Sequence, residues 1–257
     1  MTDESAIVPC SLIYPYFDNP GMLAHQVEVW NRYSSSIAAN LQFVLVDDCS
    51  SDPAEPIFRE LRHKNRVLIR VKERLPWNQH QARNIGASVA QAMKGVENPW
   101  LYLSDIDIVL TAEAAYTMLS KPLDRSYHYT VERTFAPDFN VRKVHPNTFL
   151  CTKASFWQIN GYDVELTGGY GGGYGGDGEF ARQLSGICPR KHLEDVVTIG
   201  YGRRERNGEP VLIADADTRS LDRDEWQKKY RAAFDRKRRI GDMRSRDPIR
   251  VEFERIL

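Results

Sequence analysis

A chain of 257 residues with 42% hydrophobic and 27% charged residues holds enough apolar material for a large core, and α/β enzymes of this size often fold as one domain. Thirty-five Lys+Arg against 35 Asp+Glu exclude a global field drawing the protein to nucleic acid or membrane, so any such attraction must come from a local patch. The four cysteines, Cys10, Cys49, Cys151 and Cys188, are scattered without a Cys-x-x-Cys pair, which argues against a disulfide framework or structural zinc and for free thiols in a reducing compartment.

The N-terminal MTDESAIVPC is acidic and lacks the basic, apolar pattern of a signal peptide. No apolar run reaches the ~18 residues that span a bilayer; a cytoplasmic chain without an integral membrane segment is expected. Residues 11–14 (SLIY) read as the first strand, and 23–30 carry apolar residues at helical spacing. FVLV (43–46) is an unbroken β-type run ending in Asp47 and Asp48, and a helix is expected after Pro56. VLIRV (67–71) is the next strand, 79–93 reads as a helix with Ile85, Val89 and Met93 on one side, and WLYL (100–103) runs into Ser104-Asp105-Ile106-Asp107. Further on, 127–134 alternates like a strand, and 148–152 is a short strand followed by a helical stretch through Ile159. The glycine-rich GGYGGGYGGDGEF (168–180) follows, then a late strand (196–201), a charged helix (225–240) and a short tail opened by Pro248.

Continuous apolar strands alternating with helices indicate an α/β fold, a single Rossmann-like domain with a mostly parallel central sheet flanked by helices. No linker clearly divides the chain, so a domain over 1–210 and a charged helical extension over 211–257 packed on it are expected. Such sheets bind ligands at the carboxyl ends of their strands. Asp47/Asp48 and Asp105/Asp107 are therefore expected to face one crevice.

Four segments carry candidate chemistry. Asp105 and Asp107, one residue apart at a strand end, suit a hard divalent cation, manganese or magnesium, with positions left for phosphate oxygens; an ordinary acidic loop has the same pattern. In VDDCSSD (46–52), Asp48 suits a nucleobase imide or ribose hydroxyl, although the segment taken alone reads better as Asp48 or Ser50 capping the next helix. In QARNIGASVAQ (81–91), Arg83 suits a diphosphate, or is a surface arginine on an amphipathic helix, while Asn84 and Gly86 suit tight packing near the crevice. The glycine run is too permissive for a helix or strand interior and reads as a mobile loop. Tyr170 and Tyr174 there offer sugar-stacking faces, and Asp177 and Glu179 are candidate bases.

In order along the chain, IYPYFDN (13–19), VDDCSSD (46–52), ARNIG (82–86), LSDID (103–107), NGYDVE (160–165) and YGGDGEF (174–180) resemble the motifs of the family-two glycosyltransferases and their GT-A-fold relatives, including chondroitin-polymerase-like and galactosyltransferase-like enzymes. The corresponding family patterns are IPTYN, VDDGSxD, ARNxG, LDxD, GGFDE and WGGEDxEF. The resemblance covers about residues 7–184 and implies a nucleotide lying near Tyr16, Phe17 and Asp48. It further implies Mn2+ or Mg2+ on Asp105 and Asp107, a UDP-sugar donor, a hydroxyl acceptor, and Asp177 as the base of an inverting transfer. The sequence departs from the pattern twice. The last motif is one residue short, so Gly176 stands where the family often has Glu. The late histidine that serves many relatives as a third metal ligand is missing from IGYGRRER (199–206); His192 precedes the expected strand and is left out of the site.

A basic run, Lys228, Lys229, Arg231, Arg236, Lys237, Arg238, Arg239, Arg244 and Arg246, is opposed by Asp235 and Asp242. It reads as a solvated helix face, or as a docking patch for an anionic acceptor such as a nucleic acid or an anionic lipid surface. Among other enzymes, a nucleotidyltransferase expects a glycine-rich loop with Lys or Arg after the first strand, where this chain has YPYFDNPG. The alternative outside enzymes is a nucleic-acid- or glycan-binding protein with a degenerate nucleotide-sugar crevice.

Overall fold

The computed structural model describes residues 8–75, 78–91, 96–97, 99–136, 139, 143–144, 146–167, 176–201 and 223–257. The centre is a parallel block of four strands: β1 (Cys10–Tyr16), β2 (Leu41–Asp47), β3 (Arg66–Val71) and β4 (Trp100–Leu103), in the order β3-β2-β1-β4. In register, Ile13 sits beside Val44 and Leu103, so the acidic ends of β2 and β4 emerge on the same edge. The helices of this half are α1 (Pro20–Asn31), two single turns, α2 (Ser35–Ala38) and α3 (Glu55–Phe58), and α4 (Gln79–Val89). Asn19 caps α1 by accepting from the Met22 amide, with Pro20 preset at the first position.

The second half adds β5 (Ile108–Val109), α5 (Ala112–Leu119), β6 (His128–Phe135), β7 (Lys143–Val144), β8 (Phe149–Thr152), α6 (Lys153–Gln158), a 3-10 turn at Val164–Leu166, α7 (Gly176–Ile187), β9 (Arg190–Gly200), α8 (Arg223–Ile240) and β10 (Phe253–Arg255). The sheet runs β10-β3-β2-β1-β4-β8-β6-β9-β5, with β7 on β6. It is mixed: β8 turns antiparallel against β4, and β6 and β9 run parallel to each other. The α/β expectation holds, with the parallel part concentrated in the first half.

Alternation along β1 divides the core. Leu12 and Tyr14 join Trp30, Phe43, Leu45 and Tyr102 on one face, and Ile13 joins Val46, Ile85, Leu103 and Phe180 on the other. Each such buried side chain contributes roughly 1.5–3 kcal/mol. α4 lies directly on β1 and β2. It comes so near that a Cβ on Gly86 would stand 2.4 Å from Ile13 Cγ2, which is the tight packing expected there.

Several boundaries differ from the sequence reading. α4 stops at Val89 because Ala90 leaves helical geometry at φ −59, ψ 120, and Met93 lies outside the described residues. The late strand begins at Arg190 rather than 196. α5, capped by Thr111, was not anticipated. The short tail instead adds β10 antiparallel to the edge strand β3. All four cysteines are free. No helix among the described residues is long and apolar enough to cross a membrane.

Candidate active site

The first turn of α4 brackets three separate pieces of chain. Asn78, at its start, donates Nδ2 to Asp48 Oδ1 at 2.7 Å and is itself held by Gln81 Nε2 at 2.7 Å. Gln79 Nε2 donates to Asp105 Oδ1 at 2.9 Å. Arg83 then spans two carboxylates: Nη2 donates to Asp105 Oδ1, and Nη1 to Asp177 Oδ1 at 2.5 Å. The end of β2, the end of β4 and the start of α7 thus converge on one helix terminus, whose partial positive charge favours anions.

Arg83 is fully buried, at 0% exposure, which corrects the reading of a surface arginine. Its guanidinium lies 5.1 Å from the Tyr162 ring centroid, and that ring stacks on Phe180 at 3.9 Å and 7°. Burial lowers the affinity of Arg83 for its proton, but Tyr162, Asp105 and Asp177 outweigh it and push the group up. Burial raises the Asp177 carboxyl, yet the Arg83 guanidinium and His80 hold it well below the usual carboxylate range. Asp105 moves the other way: burial pushes it up, the Asp177 charge adds to that, and Arg83 only partly offsets it. Shared between two carboxylates, Arg83 does not offset the burial of Asp105.

Asp47 and Asp48 part company. Asp47 is turned inward, accepting from the Ser50 and Ala54 amides at 2.8 and 3.0 Å and from Arg70 at 2.8 Å. The expectation that both carboxylates face the crevice fails for Asp47, which folds the following turn; Asp48, equally buried, turns to Asn78 at the start of α4. Tyr16 is also closed off. Its hydroxyl donates to the Asp52 carbonyl at 2.8 Å, and its own carbonyl accepts the Asp48 amide. It therefore shapes the turn rather than lining a pocket with its ring. Phe17 is half-buried, with the Arg74 guanidinium 5.0 Å from its ring centroid, and Arg74 also donates to Ser51 and Asp18.

Asp107 is half-buried, and its carbonyl accepts the Tyr201 amide at 2.9 Å. It faces Arg133, which burial pushes down in pKa against the pull of Asp107 and Asp105. His192 lies beside Thr130 on β6 and Gly200 beside Phe135, five residues or about 17 Å further along; His192 pairs with Thr130 at 3.1 Å and takes no part in the site. No group of three or more His, Cys, Asp or Glu side chains that would hold a metal ion occurs among the described residues. The oxygen donors of Asp105 and Asp107 are nevertheless of the chemistry that a hard cation takes. Magnesium is usually held by one or two carboxylates plus substrate phosphates. Asp105 has competing donors in Arg83, Gln79 and, at 3.3 Å, Asn147.

Glu179 is 6% exposed and engaged by Arg182 and Gln183 on its own helix. Tyr170 and Tyr174 lie outside the described residues. Gly176 to Glu179, read as the end of a loop, open α7 instead. Sequence reasoning missed Asn78, Gln79, His80 and Asn147. The available signal for His80 was its i, i+3 spacing from Arg83, which puts both on one helix face.

The basic run is divided. Lys237 is 5% exposed and pairs with Asp163 at 2.5 Å and Glu165 at 3.1 Å, and Arg236 pairs with Glu165 at 3.1 Å. These clamp α8 to the 3-10 turn ahead of the glycine segment, which corrects a uniformly solvated face. Lys228, Lys229, Arg231, Arg238, Arg239, Arg244 and Arg246 are exposed.

No protein-family model and no curated protein matches this chain. Solved structures do. Residues 1–349 of S. aureus TarS match with a TM-score of 0.61 at 14% identity, over 91% of this chain and 74% of that one. The mannosyltransferase PcManGT from Pyrobaculum calidifontis, solved with GDP-Man and Mn2+, matches at 0.57 and 14%, over 91% and 76%. GalNAc-T7, solved with UDP, GalNAc and Mn2+, matches at 0.54 and 14%, over 90% and 52%. The fold is that of the GT-A glycosyltransferases. The departure at Gly176 has a local explanation, whereas a further difference, at Cys49, is strained. Cys49 occupies the glycine position of VDDGSxD at φ 56, a left-handed conformation that favours glycine. At Gly176, a Cβ would stand 2.0 Å from His80 Cε1 and 2.6 Å from the Leu166 carbonyl oxygen, so no side chain fits there.

Proposed function

We propose that this chain is a metal-dependent glycosyltransferase that moves a sugar from a UDP-sugar to a hydroxyl acceptor with inversion at the anomeric carbon. The observation that carries the reading is the convergence of Asp48, Asp105 and Asp177 on the first turn of α4, at the carboxyl ends of β2 and β4. The GT-A fold agrees with it.

Asp48 takes the nucleoside, and Asp105 with Asp107 would hold Mn2+ or Mg2+. Such a cation neutralises charge on a departing diphosphate. Arg83 bridges the two half-buried carboxylates and holds them in place, and its Nη groups are charged donors that suit a diphosphate. Asp177 accepts the proton of the acceptor hydroxyl, help worth about a hundredfold to ten-thousandfold. Its tie to Arg83 lowers its basicity, and a diphosphate drawing on Arg83 weakens that tie as donor binds. Residues 1–210 carry all of these groups, and 211–257 serve as an extension that clamps the 3-10 turn through Lys237. The exposed arginines of α8 would suit an anionic acceptor, a charged glycan or a nucleic acid, if this face is more than a solvated one.

Hydrolysis of a panel of nucleotide sugars with Mn2+, with and without chelator, tests the reading without knowing the acceptor. Manganese-dependent release of UDP is expected. Asp177→Asn should keep donor binding and lose transfer at least about a hundredfold. Retention of configuration in the product, read by proton NMR, would remove the need for this base. A second reading, a glycan- or nucleic-acid-binding protein, is favoured by the low basicity of Asp177, and donor binding without any turnover would select it.

A further inference from the structure

We infer that His80 is the positioning partner of Asp177, supplied from α4 into the space that a side chain at residue 176 would fill. The inference rests on the role proposed above for Asp177. His80 is 2% exposed. Its ring stacks on Tyr162 at 4.9 Å and 26°, and it fills the volume over Gly176 so closely that a Cβ there would overlap it. His80 on α4 thus takes the space that a side chain at this position of α7 would need.

Both ring nitrogens face oxygen acceptors. Nδ1 lies 3.4 Å from the Asp163 carbonyl, and Nε2 lies 3.7 Å from Asp177 Oδ1. The charged groups around the imidazole are Asp177 on α7, Arg83 on the same helix, and Asp163, whose carboxylate is held by Lys237 of α8; the Tyr162 phenol stacks beneath it. Packing alone would be served by any flat ring. The imidazole adds a polar link between the backbone before the glycine segment and the first turn of α7. Arg83 and His80 approach the same oxygen of Asp177, Oδ1. The Arg83 hydrogen bond and the longer His80 contact both hold the carboxylate by Oδ1, and in this inference Oδ2 is the oxygen that receives the proton. A misplacement near 1 Å costs on the order of a hundredfold in rate.

Two substitutions in the full chain separate this role from packing. His80→Phe keeps the stack on Tyr162 and the volume over Gly176 but removes both nitrogens. His80→Gln keeps a polar group and loses the ring. Positioning requires that His80→Phe leave the donor KM within about twofold and lower kcat for transfer by about tenfold to a hundredfold. His80→Gln should retain more kcat than His80→Phe while unfolding at a lower temperature. Wild-type kcat in His80→Phe, or activities that follow the order of melting temperatures, overturns the inference. A crystal structure of His80→Phe gives a readout that does not depend on turnover. Asp177 should leave its present orientation on Arg83; an unmoved carboxylate overturns the positioning role. Absence of turnover in the wild type, by contrast, counts against the transferase reading.

Discussion

Arg83→Met removes one cation from between two carboxylates while keeping most of the aliphatic volume. Arg83 is wholly buried, and Asp105 and Asp177 are only 23% and 22% exposed, so water does little to replace the lost charge. Breaking a buried pair by deleting one partner costs ~3–5 kcal/mol, and the methionine chain keeps the cavity contribution small. The pH dependence follows from the shifts. The Asp177 carboxyl is depressed in the folded protein, so the stability it contributes is present above the unfolded value of ~3.9 and is lost as pH falls through the folded one. Without Arg83 both carboxyls rise, and protonating them relieves the repulsion. Urea unfolding should therefore show a loss of ~3–5 kcal/mol at pH 7.5 that shrinks by at least ~1 kcal/mol at pH 4.5. Adding Asp177→Asn to Arg83→Met should restore ~1–3 kcal/mol, the range of coupling between groups in contact. An equal loss at both pH values, with no recovery in the double variant, would refute the shared-cation account and leave Arg83 as packing alone.

Asp48→Ala is expected to weaken UDP binding by about tenfold, the loss of one charge-assisted hydrogen bond, with UDP preferred over ADP and GDP; calorimetry giving equal affinity for all three counts against a uridine pocket. Cys49→Gly relieves a left-handed residue at a cost of about 1–2 kcal/mol while adding ~0.5–1 kcal/mol of unfolded-state entropy. A rise of about 1–3 °C in Tm is expected by calorimetry, and a fall would show that the thiol makes a compensating contact. Charge reversal at Arg238 and Arg239, both exposed, should raise KM for an anionic acceptor several-fold and leave donor hydrolysis unchanged; an equal drop in hydrolysis would make the helix structural.

The sequence by itself determined the parallel block and the acidic strand ends. β2 and β4 are buried on both faces and so read as apolar runs, as VLVDD and WLYLSDID show, and period and punctuation are local properties of the chain. The charged second half was harder to read. Short strands such as β5 and β10 carry too few residues for a pattern, and β10 exists only because the edge of β3 offers it hydrogen bonds from far along the chain. Asp47 and Asp48 are equivalent in sequence; only the folded chain, which puts two turn amides on Asp47 and Asn78 of α4 on Asp48, gives them different partners. Lys237 sits in a run of like charges that reads as solvated, and its burial depends on Asp163, which lies 74 positions away. Arg83 is the clearest case. Its two partners stand 22 and 94 residues along the chain, and an amphipathic pattern cannot say whether a lone arginine meets water or a pair of carboxylates. Hydrophobic period is written into neighbouring residues, whereas the pairing of charges is decided by which distant segments the folded sheet brings to one helix terminus.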